Sequence, residues 1–174
     1  NITESSSSQR LLASHIVPPD KVVQALNQRF VDKLHCEYYF TMLYGVLNVQ
    51  SGCGELCQAG HPHPLIVAGE DKVTRLGEGG FPVGMLEQAS YESVAFRLER
   101  GERLFMYSDG ITDCQGKEAH PFGESRFAAL LGDIQALPLA EGIERIEQSL
   151  QLWLDGTTRE DDMSLLAIAR LAAQ

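Results

Sequence analysis

The chain has 174 residues, 44% of them hydrophobic and 22% charged, which is typical of a single globular domain. Its 14 Lys and Arg against 24 Asp and Glu give a net charge of −10, the wrong sign for a surface that follows nucleic-acid phosphates. The sequence shows neither an apolar run of the ~18 residues that span a membrane nor a signal peptide, so we expect a cytoplasmic domain that binds neither nucleic acid nor membrane.

The four cysteines, Cys36, Cys53, Cys57 and Cys114, lack the CxxC spacing of a zinc site. We expect reduced and mostly buried thiols. A disulfide or a zinc pair between Cys53 and Cys57 is the minor alternative. A chain of this size can bury roughly 70% of its unfolded surface, so any bound metal is expected to serve chemistry rather than folding.

The first 19 residues form a Ser-rich stretch without apolar periodicity, which predicts an exposed loop leading into the domain. From Asp20 to Leu34 apolar residues recur at helical spacing, and Pro19 and Asp20 are helix-starting signals. An amphipathic helix is therefore predicted. Its apolar positions are Val22, Val23, Leu26, Phe30, Val31 and Leu34.

The middle of the chain is dense in aromatic and β-branched residues. Segment 38–69 is broken at Ser51-Gly52 and at Gly60-His61-Pro62, which predicts a hairpin of two buried strands. A short strand, KVTRL, and a glycine-rich turn, GEGGFPVGM, follow it. Segment 91–109 predicts two more strands joined at Arg100-Gly101, so the sheet is expected to be largely antiparallel.

After Asp109 the apolar spacing changes to three and four residues, which predicts two helices packed on the sheet. Their sequences are ESRFAALLGDI and LAEGIERIEQSLQLWLDG. Near the end of the printed sequence lies DDMSLLAIARL, whose continuous apolar run predicts a central strand buried on both faces.

A first candidate site follows the predicted strand LFMY, where Asp109 is followed at once by Gly110. A carboxylate at a strand tip suits a hard cation, because the adjacent glycine lets the backbone turn closely around a ligand. The alternative is an ordinary Asp-Gly turn.

A second candidate site is the run of four charged residues from Arg159 to Asp162, directly before the last predicted strand. Adjacent carboxylates repel each other, and a divalent cation with oxygen ligands would stabilise them. Successive residues of an extended chain point to opposite faces, so we expect Asp161 to bind the ion and Asp162 to point away. The alternative is a solvated loop.

A third candidate is the turn Ala59-Gly60-His61-Pro62-His63-Pro64. Its histidines are separated by one proline and have no carboxylate neighbours in sequence. We therefore expect a rigid turn in which the His61 ring satisfies backbone groups, with a lesser role in positioning phosphate.

Six segments, taken in order, resemble the SpoIIE/RsbU-like branch of the PPM metal-dependent protein serine/threonine phosphatases. The segments are PPDKVVQALNQRF, YFTMLYGVLN, AGHPHPLIV, GFPVGM, LERGERLFMYSDGITD and REDDMSLLAI. The resemblance implies an α+β fold, a four-layer αββα sandwich of largely antiparallel sheets with helices on the outer faces. It further implies two Mn²⁺ or Mg²⁺ ions that activate a water for attack on phosphoserine.

The resemblance also assigns roles to residues of the three candidate sites. It implies that Asp109 and Asp161 are metal ligands and catalytic residues. Supporting positions are Gly110, Asp162, His61 and Gly60.

The sequence departs from this family pattern before the strand YFTML. The pattern has a Gly-Asp element and a second aspartate before a GHG-like turn, and neither is present here. The acidic residues upstream of that strand are Glu4, Asp20, Asp32 and Glu37. We therefore interpret residues 1–174 as one partial phosphatase domain without its first strands and helix.

Two functions remain open on sequence grounds. If the bridging aspartates lie upstream, the intact protein is a bacterial signal-transduction enzyme that hydrolyses phosphoserine on a regulatory protein of the anti-sigma-factor antagonist type. If they do not exist, the domain is an inactive adaptor that binds a sigma factor or its regulator through segment 123–156. An upstream receiver or sensor domain fits both, and exposed sheet edges would favour a homodimer. A small-ligand-binding α+β domain is a third alternative, should the motif order be coincidental.

Overall fold

The computed structural model describes residues 16–34, 38–69, 72–117, 119–157 and 161–171, with no side-chain description for 32–34. Most of the predicted N-terminal loop, Cys36 and Arg159 therefore lie outside the described residues. In chain order the elements are helix α1 (Pro19–Leu34), strands β1 (Met42–Leu47), β2 (Cys53–Ala59), β3 (Leu65–Gly69), β4 (Lys72–Arg75), β5 (Ser93–Arg97) and β6 (Arg103–Tyr107), helices α2 (Asp109–Thr112), α3 (Glu124–Asp133) and α4 (Leu139–Leu154), and strand β7 (Leu165–Ala169).

Helix α1 confirms the predicted amphipathic helix, although Pro19, assigned to the preceding loop, is already its first residue. Proline suits this position because its missing N–H would have no partner within the helix. The Asp20 N–H donates to Ser93 Oγ at 2.9 Å, and Ser93 Oγ donates back to Asp20 Oδ1 at 2.9 Å. This pair of hydrogen bonds ties the start of α1 to β5.

The first sheet has the strand order β1-β2-β5, and both pairings are antiparallel. Strands β1 and β2 form the predicted hairpin, in register from Met42–Ala59 to Leu47–Gly54. The same sequence segment also contains β3, which the hairpin prediction did not separate. Strand β3 belongs to the second sheet.

The second sheet has the strand order β4-β3-β6-β7 and is also antiparallel. The turn at Arg100-Gly101 therefore connects β5 and β6 across two sheets. Leu98 lies at this crossing, buried, and its N–H donates to the Gly52 carbonyl at 2.9 Å. The two strands predicted on either side of Arg100-Gly101 are confirmed as β5 and β6.

The prediction of a central final strand is wrong for the described part of the chain, because β7 lies at the edge of the second sheet. Leu166 is 57% exposed. Leu165 packs on the helix side of the sheet and Ile168 on the side that faces the first sheet. An edge strand inside a sandwich meets an apolar layer on each face, so it carries the same continuous apolar run as a central strand.

In the described part of the chain, three buried clusters separate four layers. The cluster between α1 and the first sheet is built on Val23, Cys57, Ala59, Val83, Ala89 and Tyr91. The cluster between the sheets contains Ile66, Leu98 and Leu104. The largest cluster joins the second sheet to α3 and α4, with Phe105, Phe127 and Leu131 fully buried. The layer order is helix, sheet, sheet, helices, as predicted for an αββα sandwich.

Cys53 and Cys57 are free thiols, so the alternative of a disulfide between them is excluded. Cys53 is exposed and Cys57 is buried at the helix side of the first sheet. Burial raises the pKa of the Cys57 thiol to about 11, which keeps it protonated and apolar at neutral pH. No helix in the described ranges is long and apolar enough to cross a membrane.

Candidate metal centre

The two acidic motifs meet at one end of the second sheet. Strands β6 and β7 pair antiparallel, and their last pair at this end is Tyr107 with Leu165. The residues that follow β6 and those that precede β7 therefore leave the sheet side by side. Asp109 opens the single helical turn α2 directly after β6, and Asp161 lies in the segment that enters β7.

Ser108 connects the two segments. Its Oγ donates to the Asp162 carbonyl at 3.0 Å and accepts the Ser164 N–H at 2.8 Å. Its own N–H donates to the Ser164 carbonyl at 3.0 Å. These three bonds extend the β6–β7 contact beyond the last strand pair.

Gly110 allows the segments to approach closely. A Cβ placed on Gly110 would lie 2.5 Å from the Asp162 carbonyl oxygen and 3.5 Å from the Asp161 Cβ. The first distance is shorter than a van der Waals contact, so a side chain here would push the segments apart. The glycine predicted to let the backbone turn around a ligand thus also faces the second acidic motif.

Both carboxylates are oriented by the next residue of the chain. Asp109 Oδ1 accepts the Gly110 N–H at 3.0 Å, and Asp161 Oδ1 accepts the Asp162 N–H at 2.7 Å. Among the described residues no donor contacts the second oxygen of either carboxylate, and both aspartates are exposed. Each therefore presents an oxygen that is available to a ligand.

A cavity of about 270 Å³ lies against this junction and is lined by Gly110, Asp113, Cys114, Asp161 and Met163. Asp113 is not among the site residues predicted from the sequence. It follows Asp109 by four residues, and residues at this spacing lie on one face of a helix. This spacing is the sequence feature that could have identified Asp113 as a neighbour of Asp109. Asp161 and Asp113 thus share a cavity, whereas Asp109 lies outside its lining.

His61 and Asp109 lie close enough for their charges to interact. Burial lowers the pKa of the His61 imidazole, and the Asp109 carboxylate opposes that shift by favouring the charged ring. The predicted backbone role belongs to the other histidine: His63 Nδ1 is 3.1 Å from the Leu76 carbonyl, while the His61 ring has no hydrogen bond to a described residue. In the described part of the chain the His63 ring therefore makes the backbone contact expected of His61, and the expected role of His61 in positioning phosphate stays a prediction.

Gln58, a buried residue that was not predicted as part of the site, stabilises the turn that carries His61. Gln58 Nε2 donates to the His61 carbonyl, and its Oε1 accepts the Gly79 N–H at 2.8 Å. Gly60 has φ = 69°, and a Cβ there would lie 2.6 Å from Pro82 Cγ. This close approach locks the histidine turn against the glycine-rich turn.

The side chains of Asp109 and Asp161 can be compared with the ligands that a divalent ion requires. Asp109 and Asp161 offer the hard oxygen ligands that Mg²⁺ and Mn²⁺ prefer, and Mg²⁺ commonly binds through one or two carboxylates with water in its other positions. No group of three or more His, Cys, Asp or Glu within the described ranges is arranged to hold a metal ion. In ligand type the two described carboxylates therefore suit one hydrated ion, and in number they are too few for two.

Comparison with known proteins identifies relatives over nearly the whole chain. The family described as Stage II sporulation protein E (SpoIIE) matches residues 2–171. Protein IcfG of Synechocystis sp. is 29% identical over 133 residues, which cover 76% of this chain and 21% of IcfG. Phosphoserine phosphatase RsbU of Bacillus subtilis is 23% identical over 155 residues, which cover 88% of this chain and 46% of RsbU. The chain thus spans less than half the length of these two relatives.

Among solved structures, the phosphatase domain of the cell fate determinant SpoIIE from Bacillus subtilis, presoaked with manganese, superposes with a TM-score of 0.67 at 15% identity. The superposition covers 100% of this chain and 76% of that one. At this identity the comparison shows that the fold is shared.

Proposed function

Because the chain belongs to the SpoIIE family, in the SpoIIE/RsbU-like branch of the PPM phosphatases, we propose that it forms the catalytic output domain of a metal-dependent phosphoserine phosphatase. One observation carries the proposal: the Asp109 and Asp161 motifs leave adjacent strands at the same end of one sheet, joined by Ser108. We further propose that residues 1–174 form one partial domain of this kind.

The proposed reaction is hydrolysis of a phosphate monoester. The oxygen of a water bonds to phosphorus, the bond between phosphorus and the serine oxygen breaks, and the serine oxygen leaves with a proton. When bound, a divalent ion would lower the pKa of a water and offset the negative charge of the phosphoryl oxygens.

The chain's own residues would hold and orient that ion. Asp109 and Asp161 each present a carboxylate oxygen without a described hydrogen-bond donor. Gly110 supplies the space between their segments. Asp162 orients Asp161 through its N–H, and His61, on the turn that starts at Gly60, lies within electrostatic reach of Asp109. The His61 ring is thus available to a phosphoryl group.

The proposed substrate is a phosphoserine on a regulatory protein of the anti-sigma-factor antagonist type. RsbU, one of the curated relatives, is a phosphoserine phosphatase. The acidic net charge of the chain supports a protein substrate over nucleic acid. We propose the same substrate class whether a receiver or a sensor domain controls the protein.

The direct test is phosphate release from a phosphoserine protein substrate by the full-length protein. We expect release in the presence of Mn²⁺ or Mg²⁺, its loss after chelation with EDTA, and its recovery when Mn²⁺ is restored. Zinc serves as the comparison metal, because it favours nitrogen and sulfur ligands over a carboxylate pair. Activity that persists unchanged in EDTA would contradict the proposal.

An adaptor function is the second candidate, favoured by the lack of a three-ligand group within the described residues. An adaptor would bind a sigma factor or its regulator and release no phosphate at any metal concentration. Binding of such a partner with equal affinity before and after EDTA treatment, together with absent phosphate release, would select this function.

A further inference from the structure

Ser108 precedes Asp109 in the chain and hydrogen-bonds the segment that carries Asp161. It follows β6 directly and adopts an extended backbone with φ = −80° and ψ = 154°. It is half-buried, and its hydroxyl is oriented away from its own strand toward the segment that enters β7. No hydrogen bond in its own turn requires this hydroxyl, because α2 has no side-chain cap from Ser108.

The Ser108 hydroxyl makes two bonds to the segment that carries Asp161. It donates to the Asp162 carbonyl at 3.0 Å and accepts the Ser164 N–H at 2.8 Å. A hydroxyl has one proton to donate and lone pairs to accept, so both bonds form at the same time. Ser108 therefore fixes the position of the 162–164 backbone relative to Asp109, its own neighbour in sequence.

The effect reaches Asp161 through its neighbour. Asp162 makes both contacts: its carbonyl accepts from Ser108, and its N–H donates to Asp161 Oδ1. Fixing the Asp162 carbonyl therefore also restricts the N–H that orients Asp161. On the other side, Gly110 allows this close approach, because a Cβ there would lie 2.5 Å from the Asp162 carbonyl oxygen. The hydroxyl holds the two segments together and the glycine leaves the space that this arrangement needs.

We propose that Ser108 is a positioning residue that holds Asp109 and Asp161 at the separation required to share one divalent ion. This role rests on the proposed metal-dependent function. Ser108 contacts the ligands' backbone rather than the ion itself. Groups that orient metal ligands typically contribute about 10- to 100-fold to metal affinity.

Ser93 provides a matched control elsewhere in the fold. Its hydroxyl also accepts one backbone N–H and donates to one oxygen, both at 2.9 Å, but it joins α1 to β5. Ser93→Ala and Ser108→Ala each remove two hydrogen bonds, so both should lower the thermal unfolding midpoint by similar amounts. Only Ser108→Ala should weaken metal binding.

The test is a calorimetric titration of the full-length protein with Mn²⁺, which measures the Mn²⁺ dissociation constant. We expect Ser108→Ala to raise the Mn²⁺ dissociation constant about 10- to 100-fold. Ser108→Thr, which keeps the hydroxyl, should restore it to within about threefold, and Ser93→Ala should leave it unchanged. A loss of affinity that Thr fails to restore, or one that Ser93→Ala reproduces, would overturn the positioning role.

A metal-free measurement distinguishes this role from the proposed function. Hydrogen exchange of the Ser164 amide should be faster in Ser108→Ala than in wild type and Ser108→Thr, because that amide donates to Ser108 Oγ. Unchanged exchange, or unchanged Mn²⁺ affinity in Ser108→Ala, would overturn the role of Ser108 alone. Absence of Mn²⁺ binding by the wild type would overturn the proposed function and this role with it.

Discussion

Asp109→Asn is expected to lower Mn²⁺-dependent phosphate release by at least about 100-fold. An Asn oxygen can still accept the Gly110 N–H, so the turn that starts α2 should form, but the side chain no longer carries the charge that attracts a divalent ion. Loss of a direct ligand should lower metal affinity and activity by no less than the 10- to 100-fold that is typical when a group that only orients a ligand is removed. The measurement is kcat/KM for a phosphoserine protein, with the Mn²⁺ dissociation constant beside it.

Asp133→Asn is the matched control for this prediction. Asp133 is an exposed aspartate at the end of α3, outside the metal centre, and its replacement removes the same charge. Activity should change by less than about twofold, because long-range charge effects are screened by salt. Equal activity of Asp109→Asn and wild type would remove Asp109 from the metal site.

Replacement of the adjacent residues Asp161 and Asp162 is expected to have very different effects on activity. We expect Asp161→Asn to lower kcat/KM by at least about 100-fold and Asp162→Asn by less than about fivefold. Asp162 contributes through its backbone, whose N–H orients Asp161 and whose carbonyl accepts from Ser108, and an Asn at 162 keeps both. Each change removes one negative charge, so the pair controls for net charge.

If Asp162→Asn lowered kcat/KM more than Asp161→Asn, the side chain of Asp162, rather than that of Asp161, would be the one directed at the ion. Equal losses would indicate that both carboxylates bind. Thermal unfolding of each variant should match wild type within a few degrees, since neither side chain is buried.

The helices and the hairpin could be predicted from the sequence because local spacing determines them. Helix α4 carries an apolar residue every three or four positions, and Ile146 and Leu150 are buried where that period directs them. The pairing of strands depends on contacts far apart in sequence. For that reason the crossing of β5 to β6 between sheets and the edge position of β7 were not predicted.

The candidate site was predictable to the extent that its chemistry lies in single residues. Asp109 and Asp161 stood out because a carboxylate at a strand end is conspicuous in sequence, and the structure brings their segments together. Ser108 and Gln58 did not stand out, because their roles are hydrogen bonds to backbone groups up to 56 residues away. The ring hydrogen bond of His63, expected for His61, depends on the position of Leu76, which the histidine turn alone does not specify.

Binding of one divalent ion between Asp109 and Asp161 can be observed by anomalous X-ray diffraction from crystals of the protein soaked in Mn²⁺. We predict a manganese peak within roughly 2.2 Å of a carboxylate oxygen of both residues. A manganese peak elsewhere, or one in contact with only one of the two aspartates, would show that the two residues do not share an ion.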